Sequence, residues 1–209
     1  LALWLLLSPP LSFGQGARLF KSGPIQITAD GAWVWAANQH HDSVSRLNTA
    51  TNAVDEFTLP NVGSSHSPRG ISVREDGGQV WVACHDSDFV YILNGVGSII
   101  GQVELPWGSG PYSIALSRDQ SIALVTLHRG DGLAIIDAAS LQLSTILEPV
   151  FHAPLGIAWL EDGTGAWVTH LFSDEDHSRL TKVDVAGSQP RVQTRIIAFA
   201  TDPRQSSGL

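Results

Sequence analysis

The sequence predicts an all-β protein of the β-propeller class, and three observations carry that expectation. A proline followed by a short β-branched or apolar run recurs at Pro24, Pro68, Pro111 and Pro154, at spacings of 44, 43 and 43 residues. Each proline is followed by four short apolar runs separated by turn residues, with no helical periodicity between them. A large apolar residue returns at one position of the second run, as Trp35, Trp81, Leu124 and Trp167. Four hairpin-joined strands repeated at about 43 residues mark a propeller blade and fit a solenoid badly.

The elements follow in order. First strands are expected at Ile25 to Ile27, Gly70 to Val73, Ser113 to Leu116 and Gly156 to Trp159, each with alternating character. Turn residues come next, at Ala29-Asp30-Gly31, Glu75-Asp76-Gly77-Gly78, Arg118-Asp119-Gln120 and Glu161-Asp162-Gly163. Asp and Gly accept the left-handed backbone of a tight hairpin, and the third copy lacks the glycine. Second, more apolar strands run from Trp33 to Ala37, Val80 to Cys84, Ala123 to Leu127 and Ala166 to His170. The aligned Trp and Leu residues in them suit the stacking of neighbouring sheets. Third strands are Val44 to Leu47, Phe89 to Leu93, Leu133 to Ile136 and Arg179 to Val183, each closed by Asn or Asp. Fourth strands are Val54 to Leu59, Ile99 to Leu105, Leu143 to Leu147 and Val192 to Phe199. The blades therefore fall near residues 23–60, 67–106, 110–149 and 153–199, within a partial propeller over 17–209.

In the first repeat, Val34-Trp35-Ala36-Ala37-Asn38 leads into Asp42-Ser43-Val44-Ser45-Arg46-Leu47-Asn48-Thr49-Ala50-Thr51. This resembles the YVTN-type β-propeller repeat of the lactonase-like and surface-layer-associated propellers. The later copies keep the strand-turn-strand frame and replace the asparagine with Cys84, Leu127 and His170. The resemblance covers residues 23–199 and implies a ring of seven blades, hence about three further blades beyond Leu209. A closed ring of four is the alternative. Ala17 to Lys21 matches a fourth-strand slot and is expected to complete the last blade of the ring.

The bulk numbers narrow the setting. Leu1 to Leu7 is an apolar run too short to span a bilayer, ended by Ser8-Pro9-Pro10 with small residues at Ser12 and Gly14. It reads as the remnant of a secretory signal over residues 1–16, cut after Gly14 or Gly16, with a buried N-terminal strand or helix as the alternative. The expectation is an exported protein, periplasmic or extracellular, with no membrane span in the mature chain. With no initiator Met and no basic segment ahead of the run, the sequence reads as a fragment. A net charge of −8 with 12 Lys+Arg provides no footprint for nucleic acid or an anionic membrane surface. The single cysteine, Cys84, excludes an internal disulfide, and no Cys-x-x-Cys-His is present for covalent haem. Its place in an apolar run predicts a buried, inert thiol.

The candidate chemistry lies in the histidines. His66 and His152 stand two residues before marker prolines; His40, His41, His85, His128 and His177 fall between second and third strands, and His170 ends a second strand. All eight thus gather at one loop face, and none lies in the opposite turns. Imidazoles near a propeller axis can bind a transition metal or haem, or serve as acid and base near neutral pH. Loops entering the first strand lie nearest the axis, so His66 and His152 lead as metal candidates, with His85 and His128 next. The competing reading is solvated or hydrogen-bonded loop histidines, since no pair has recognised metal spacing. Arg69 can orient an anionic ligand or pair with an acid, and Trp107 serves binding if exposed. Asp86, Asp88, Asp131, Asp174, Glu175 and Asp176 lack the spacing of a calcium loop and read as a solvated acidic rim. No nucleophile elbow or metalloprotease motif occurs.

The expected function is a binding or scaffold module that presents a ligand face of His66, Arg69, His85, Trp107, His128, His152 and His170 to a small molecule, metal or protein partner. The resemblance implies an alternative, a lactonase-like hydrolase. A metal- or haem-associated redox module is the third reading, and the cofactor stays open.

Overall fold

The computed structural model describes residues 22–148, 152–171, 177–185 and 190–198. The first sheet is β1 (Ser22–Ile27), β2 (Trp33–Asn38), β3 (Ser43–Asn48) and β4 (Val54–Thr58). The second is β5 (Pro68–Val73), β6 (Gln79–Cys84), β7 (Phe89–Asn94) and β8 (Ile99–Glu104). The third is β9 (Pro111–Leu116), β10 (Ile122–Leu127), β11 (Gly132–Asp137) and β12 (Gln142–Leu147). The fourth is β13 (Pro154–Trp159), β14 (Gly165–His170), β15 (His177–Asp184) and β16 (Arg191–Ala198). Each sheet is an antiparallel meander in chain order, as a propeller blade requires. Among the described residues no helix is long and apolar enough to cross a membrane. The expected leader over residues 1–16 and the strand expected at Ala17 to Lys21 lie outside the described residues, as do Asp174, Glu175 and Asp176. His177 begins β15 rather than lying in the loop before it.

The blades stack because their middle strands are apolar on both faces. In β6, Val80, Val82 and Cys84 pack toward the first blade with Trp35, Val44 and Leu59. The alternate residues Trp81 and Ala83 pack toward the third blade with Ile114, Ala123, Val125 and Leu127. Leu124 repeats the forward-facing role against Ala166 and Val168 of the fourth blade. Strands buried on both faces read as continuous apolar runs, and period-2 alternation decides only which neighbour each side chain meets. The first strands lie side by side, β1 on β5, β5 on β9 and β9 on β13, so the blades converge there. The approach of β5 to β9 is close enough to demand glycine: a Cβ on Gly70 would stand 2.5 Å from the Tyr112 carbonyl oxygen.

Register corrects one repeat marker. Ser72 pairs with Trp81, Ala115 with Leu124, Ala158 with Trp167, and Gln26 with Trp35. On that frame Ser22 of the first blade corresponds to Pro68, Pro111 and Pro154, and Pro24 lies two positions further along. The regular prolines open their strands at β-bulges, where a missing N–H costs no ladder bond.

One aspartate latches each of the first three blades to the loop that follows it. Asp42, Asp88 and Asp131 hold the left-handed backbone at φ 50°, 60° and 50°. Asp42 Oδ1 accepts from the N–H groups of His66 and Ser67 and from Ser65 Oγ. Asp88 accepts from the N–H groups of Gly108 and Gly110 and from Ser109 Oγ. Asp131 accepts from the Ala153 N–H. In each case the residue before the regular proline is a donor, and Ser67, Gly110 and Ala153 are themselves at positive φ. Asp88 is therefore no part of a solvated rim: it is buried and satisfied by two backbone N–H groups and the Ser109 hydroxyl.

Candidate functional site

Two repeat slots build the site. The first follows the regular proline inside the bulge, where the second and third blades carry Arg69 and Tyr112 and the fourth carries Leu155. The second follows the end of the second strand, where these blades carry His85, His128 and Leu171. The slot is pinned identically in each blade: the N–H of His85 donates to Ser67 O, that of His128 to Gly110 O, and that of Leu171 to Ala153 O. Where blades two and three meet, the slots bring together one guanidinium, two imidazoles and one phenol. The His85 and His128 ring centroids are 5.6 Å apart, Tyr112 lies 5.4 Å from His128 and 6.0 Å from His85, and the Arg69 guanidinium sits 5.4 Å from the Tyr112 ring.

His85 is 5% exposed. Its Nδ1–H donates to Asp86 Oδ1 at 2.9 Å, and the same oxygen accepts from Arg129 Nη2 at 2.7 Å. That bond fixes the neutral tautomer, leaving the lone pair on Nε2, which is buried and meets no hydrogen-bond partner. Arg69 Nε and His128 Nδ1 are likewise buried without a partner. Burial, with Arg129 and Arg69 nearby, holds His85 below the ordinary imidazole value despite the bond to Asp86. Burial and the same two guanidinium groups lower His128. Asp86 stays below the usual carboxylate range: burial opposes this, but the bonds from His85 and Arg129 outweigh it. Both imidazoles are accordingly neutral near pH 7.

The other sequence candidates are placed elsewhere. His66 is buried, with Nε2–H donating to the Pro60 carbonyl and Nδ1 accepting from Ser87 Oγ at 2.8 Å, and its ring meets Tyr91 edge-on. Both ring nitrogens are occupied by protein, which makes it a packed core histidine and leaves neither available to an ion. His152 is exposed, and its backbone N–H donates to Nδ1 of His170, whose Nε2–H reaches Thr181 Oγ1 at 2.7 Å. Burial first, and then His152 and Arg179, lower the pKa of His170. His66 and His152 are not brought into one cluster, and among the described residues no group of three or more His, Cys, Asp or Glu side chains is placed to hold an ion. Trp107 is 97% exposed on the loop from Pro106 to Gly110. A separate concavity of about 570 Å³ is lined by His41, Asn61, Ser64 and His66 among others. Cys84 is buried, and burial raises its thiol well above the ordinary value, as expected of an inert cysteine.

Sequence reasoning missed Tyr112 and Arg129. The signal existed: Tyr112 occupies the slot of Arg69 one blade on, and Arg129 that of Asp86.

The comparisons with known proteins agree on the fold. The family described as Lactonase, 7-bladed beta-propeller, matches residues 12–96. No curated protein matches the sequence. Among solved structures, hydrazine synthase of Kuenenia stuttgartiensis is similar with a TM-score of 0.73 at 19% identity, over 90% of this chain and 53% of that one. A catalytically inactive virginiamycin B lyase from Staphylococcus aureus, with quinupristin, gives 0.72 at 21% identity over 90% of this chain and 59% of that one. Dihydro-heme d1 dehydrogenase NirN in complex with DHE gives 0.63 at 12% identity over 83% and 37%. The chain spans about half the length of the first of these structures. At such identities the likeness concerns the fold, an all-β array of four-stranded propeller blades.

Proposed function

We propose that this propeller is a ligand-binding module and that the ligand is held where blades two and three meet, by Arg69, His85, Tyr112 and His128. The observation that carries the reading is the buried Nε2 of His85, with no partner, in one cluster with the equally unpartnered Nε of Arg69, both groups flanking Tyr112. Buried polar atoms in native proteins are nearly always satisfied, and an orphan pair on pinned backbone is what a preformed polar site presents before its ligand arrives. The setting we infer is the one expected from the apolar leader, outside the cytoplasm, and the repeat we assign is the YVTN type. The test is thermal stability of the full-length protein against a panel of small organic acids, lactones, transition metals and haem. A ligand whose stabilisation disappears in both Arg69→Gln and His85→Gln supports the module. Stabilisation retained in both variants places the ligand elsewhere and overturns it.

One observation favours a second reading, hydrolysis. Asp86 orients His85 through Nδ1 and leaves Nε2 as a base near neutral pH, the arrangement general-base catalysis uses. The match to the lactonase family supports it. Turnover of a lactone that falls roughly 100-fold or more in His85→Gln is the expected sign; unchanged turnover in that variant removes His85 from the chemistry.

A further inference from the structure

We propose that the Arg69, His85, Tyr112 and His128 cluster is a carboxylate site that takes up a proton as it binds; the proposal deepens the ligand-binding reading and rests on it. The groups facing His85 are Asp86, Arg129, Arg69, Tyr112 and His128; Asp131 adds its charge near His128. Asp86 is already bound by Arg129 and by the Nδ1–H of His85, so its charge is answered within the protein. What remains is Arg69, with a buried N–H and no acceptor, and two neutral rings. The spacing of the rings alone would suit two imidazoles on one metal ion. The charge of Arg69 decides against a cation: Arg129 is paired with Asp86, whereas Arg69 keeps a buried N–H without an acceptor and would repel a divalent ion.

An anion answers the charge of Arg69 that a cation would oppose. Its oxygens accept from the Arg69 N–H, and its charge favours the protonated form of His85. Nε2 then changes from a bare lone pair to a second donor, while Nδ1–H stays on Asp86. The balance is one solvent proton taken by His85 for each anion bound, and no covalent bond forms or breaks. A planar carboxylate matches the guanidinium edge, and the Tyr112 and His128 rings, 5.4 Å apart and tilted by 37°, supply aromatic surface beside it for a flat ligand body to contact. The net charge of −8 does not oppose this, since the charge that matters is the local one, the guanidinium of Arg69.

The experiment measures binding of benzoate, benzamide, inorganic phosphate and zinc ion to the full-length protein between pH 5.5 and 7.5, with histidine ring carbons followed by NMR. Benzoate is expected to bind and benzamide to fail. Benzoate affinity is expected to weaken roughly tenfold per pH unit above the free-state titration of His85, the slope of one linked proton. The His85 ring signals should move to imidazolium positions on binding. Arg69→Gln should reduce benzoate affinity at least tenfold with the melting temperature retained. His85→Gln should flatten the pH dependence. Equal binding of benzamide, phosphate at least as tight as benzoate, zinc binding in preference to either, or a pH-independent affinity each overturns the proposal. If a neutral ligand stabilises the protein through Arg69 and His85 while benzoate does not bind, the ligand-binding reading stands and the carboxylate assignment alone fails.

Discussion

At the scale of single residues, two histidines separate structure from candidate chemistry. His66 has both nitrogens bonded to its own loops, whereas His85 has one nitrogen on Asp86 and the other buried without a partner. The three lowered imidazoles, His85, His128 and His170, also set a pH dependence of stability. Their folded values lie below the ordinary 6.5, so the unfolded chain binds more protons as pH falls through that value. Their contribution is complete above 6.5 and lost as acidification approaches the folded values. Urea denaturation should accordingly show lower stability at pH 5.5 than at 7.5, with a smaller difference in His85→Gln. Asp88 offers a sharper test. Removing its carboxylate leaves the half-buried Gly108 N–H and the buried Gly110 N–H and Ser109 Oγ without this acceptor. Asp88→Ala is expected to cost about 3 kcal/mol by chemical denaturation, and Asp88→Asn, which keeps an acceptor oxygen, less.

At the scale of elements, the hairpins between first and second strands repeat one backbone solution with different residues. Gly31, Gly77 and Gly163 take φ of 70°, 68° and 72°, and Gln120 takes 62° at the same position of the third blade. A left-handed conformation costs an L-residue about 1 kcal/mol relative to glycine. Gln120 recovers part of this by donating from Nε2 to the Ser117 carbonyl at 3.0 Å. Gln120→Gly is therefore expected to raise stability by about 0.5 kcal/mol, read as a higher urea midpoint at unchanged slope. The missing glycine was legible in the sequence; that the backbone would keep the turn regardless was not, because the neighbouring strands impose it.

At the scale of the whole molecule, the site exists because blades two and three approach closely at β5 and β9. Gly70 sets that distance, and a methyl group there would meet the Tyr112 carbonyl and the backbone of Ser113 and Ile114. Gly70→Ala should cost roughly 1–3 kcal/mol and should also move Tyr112 away from Arg69. The expected result is weakened ligand binding in a protein that still folds, checked by melting temperature and benzoate affinity together.

The sequence by itself determined the strand order, the turn positions and the blade period, because each is written in local apolar alternation and turn chemistry. It also placed the histidines at one loop face, since their position within the repeat follows from counting. Two things were not legible. The proline spacing suggested that Pro24 was the first marker, and only pairing of Gln26 with Trp35 showed Ser22 in that role. The ranking of His66 and His152 over His85 and His128 followed loop position, which carries no information on what each ring nitrogen meets. That was decided by tertiary structure: side chains some 16 to 59 residues apart, from Arg69 to His128, become neighbours only when adjacent blades pack, and hydrogen-bond satisfaction is a property of that packing.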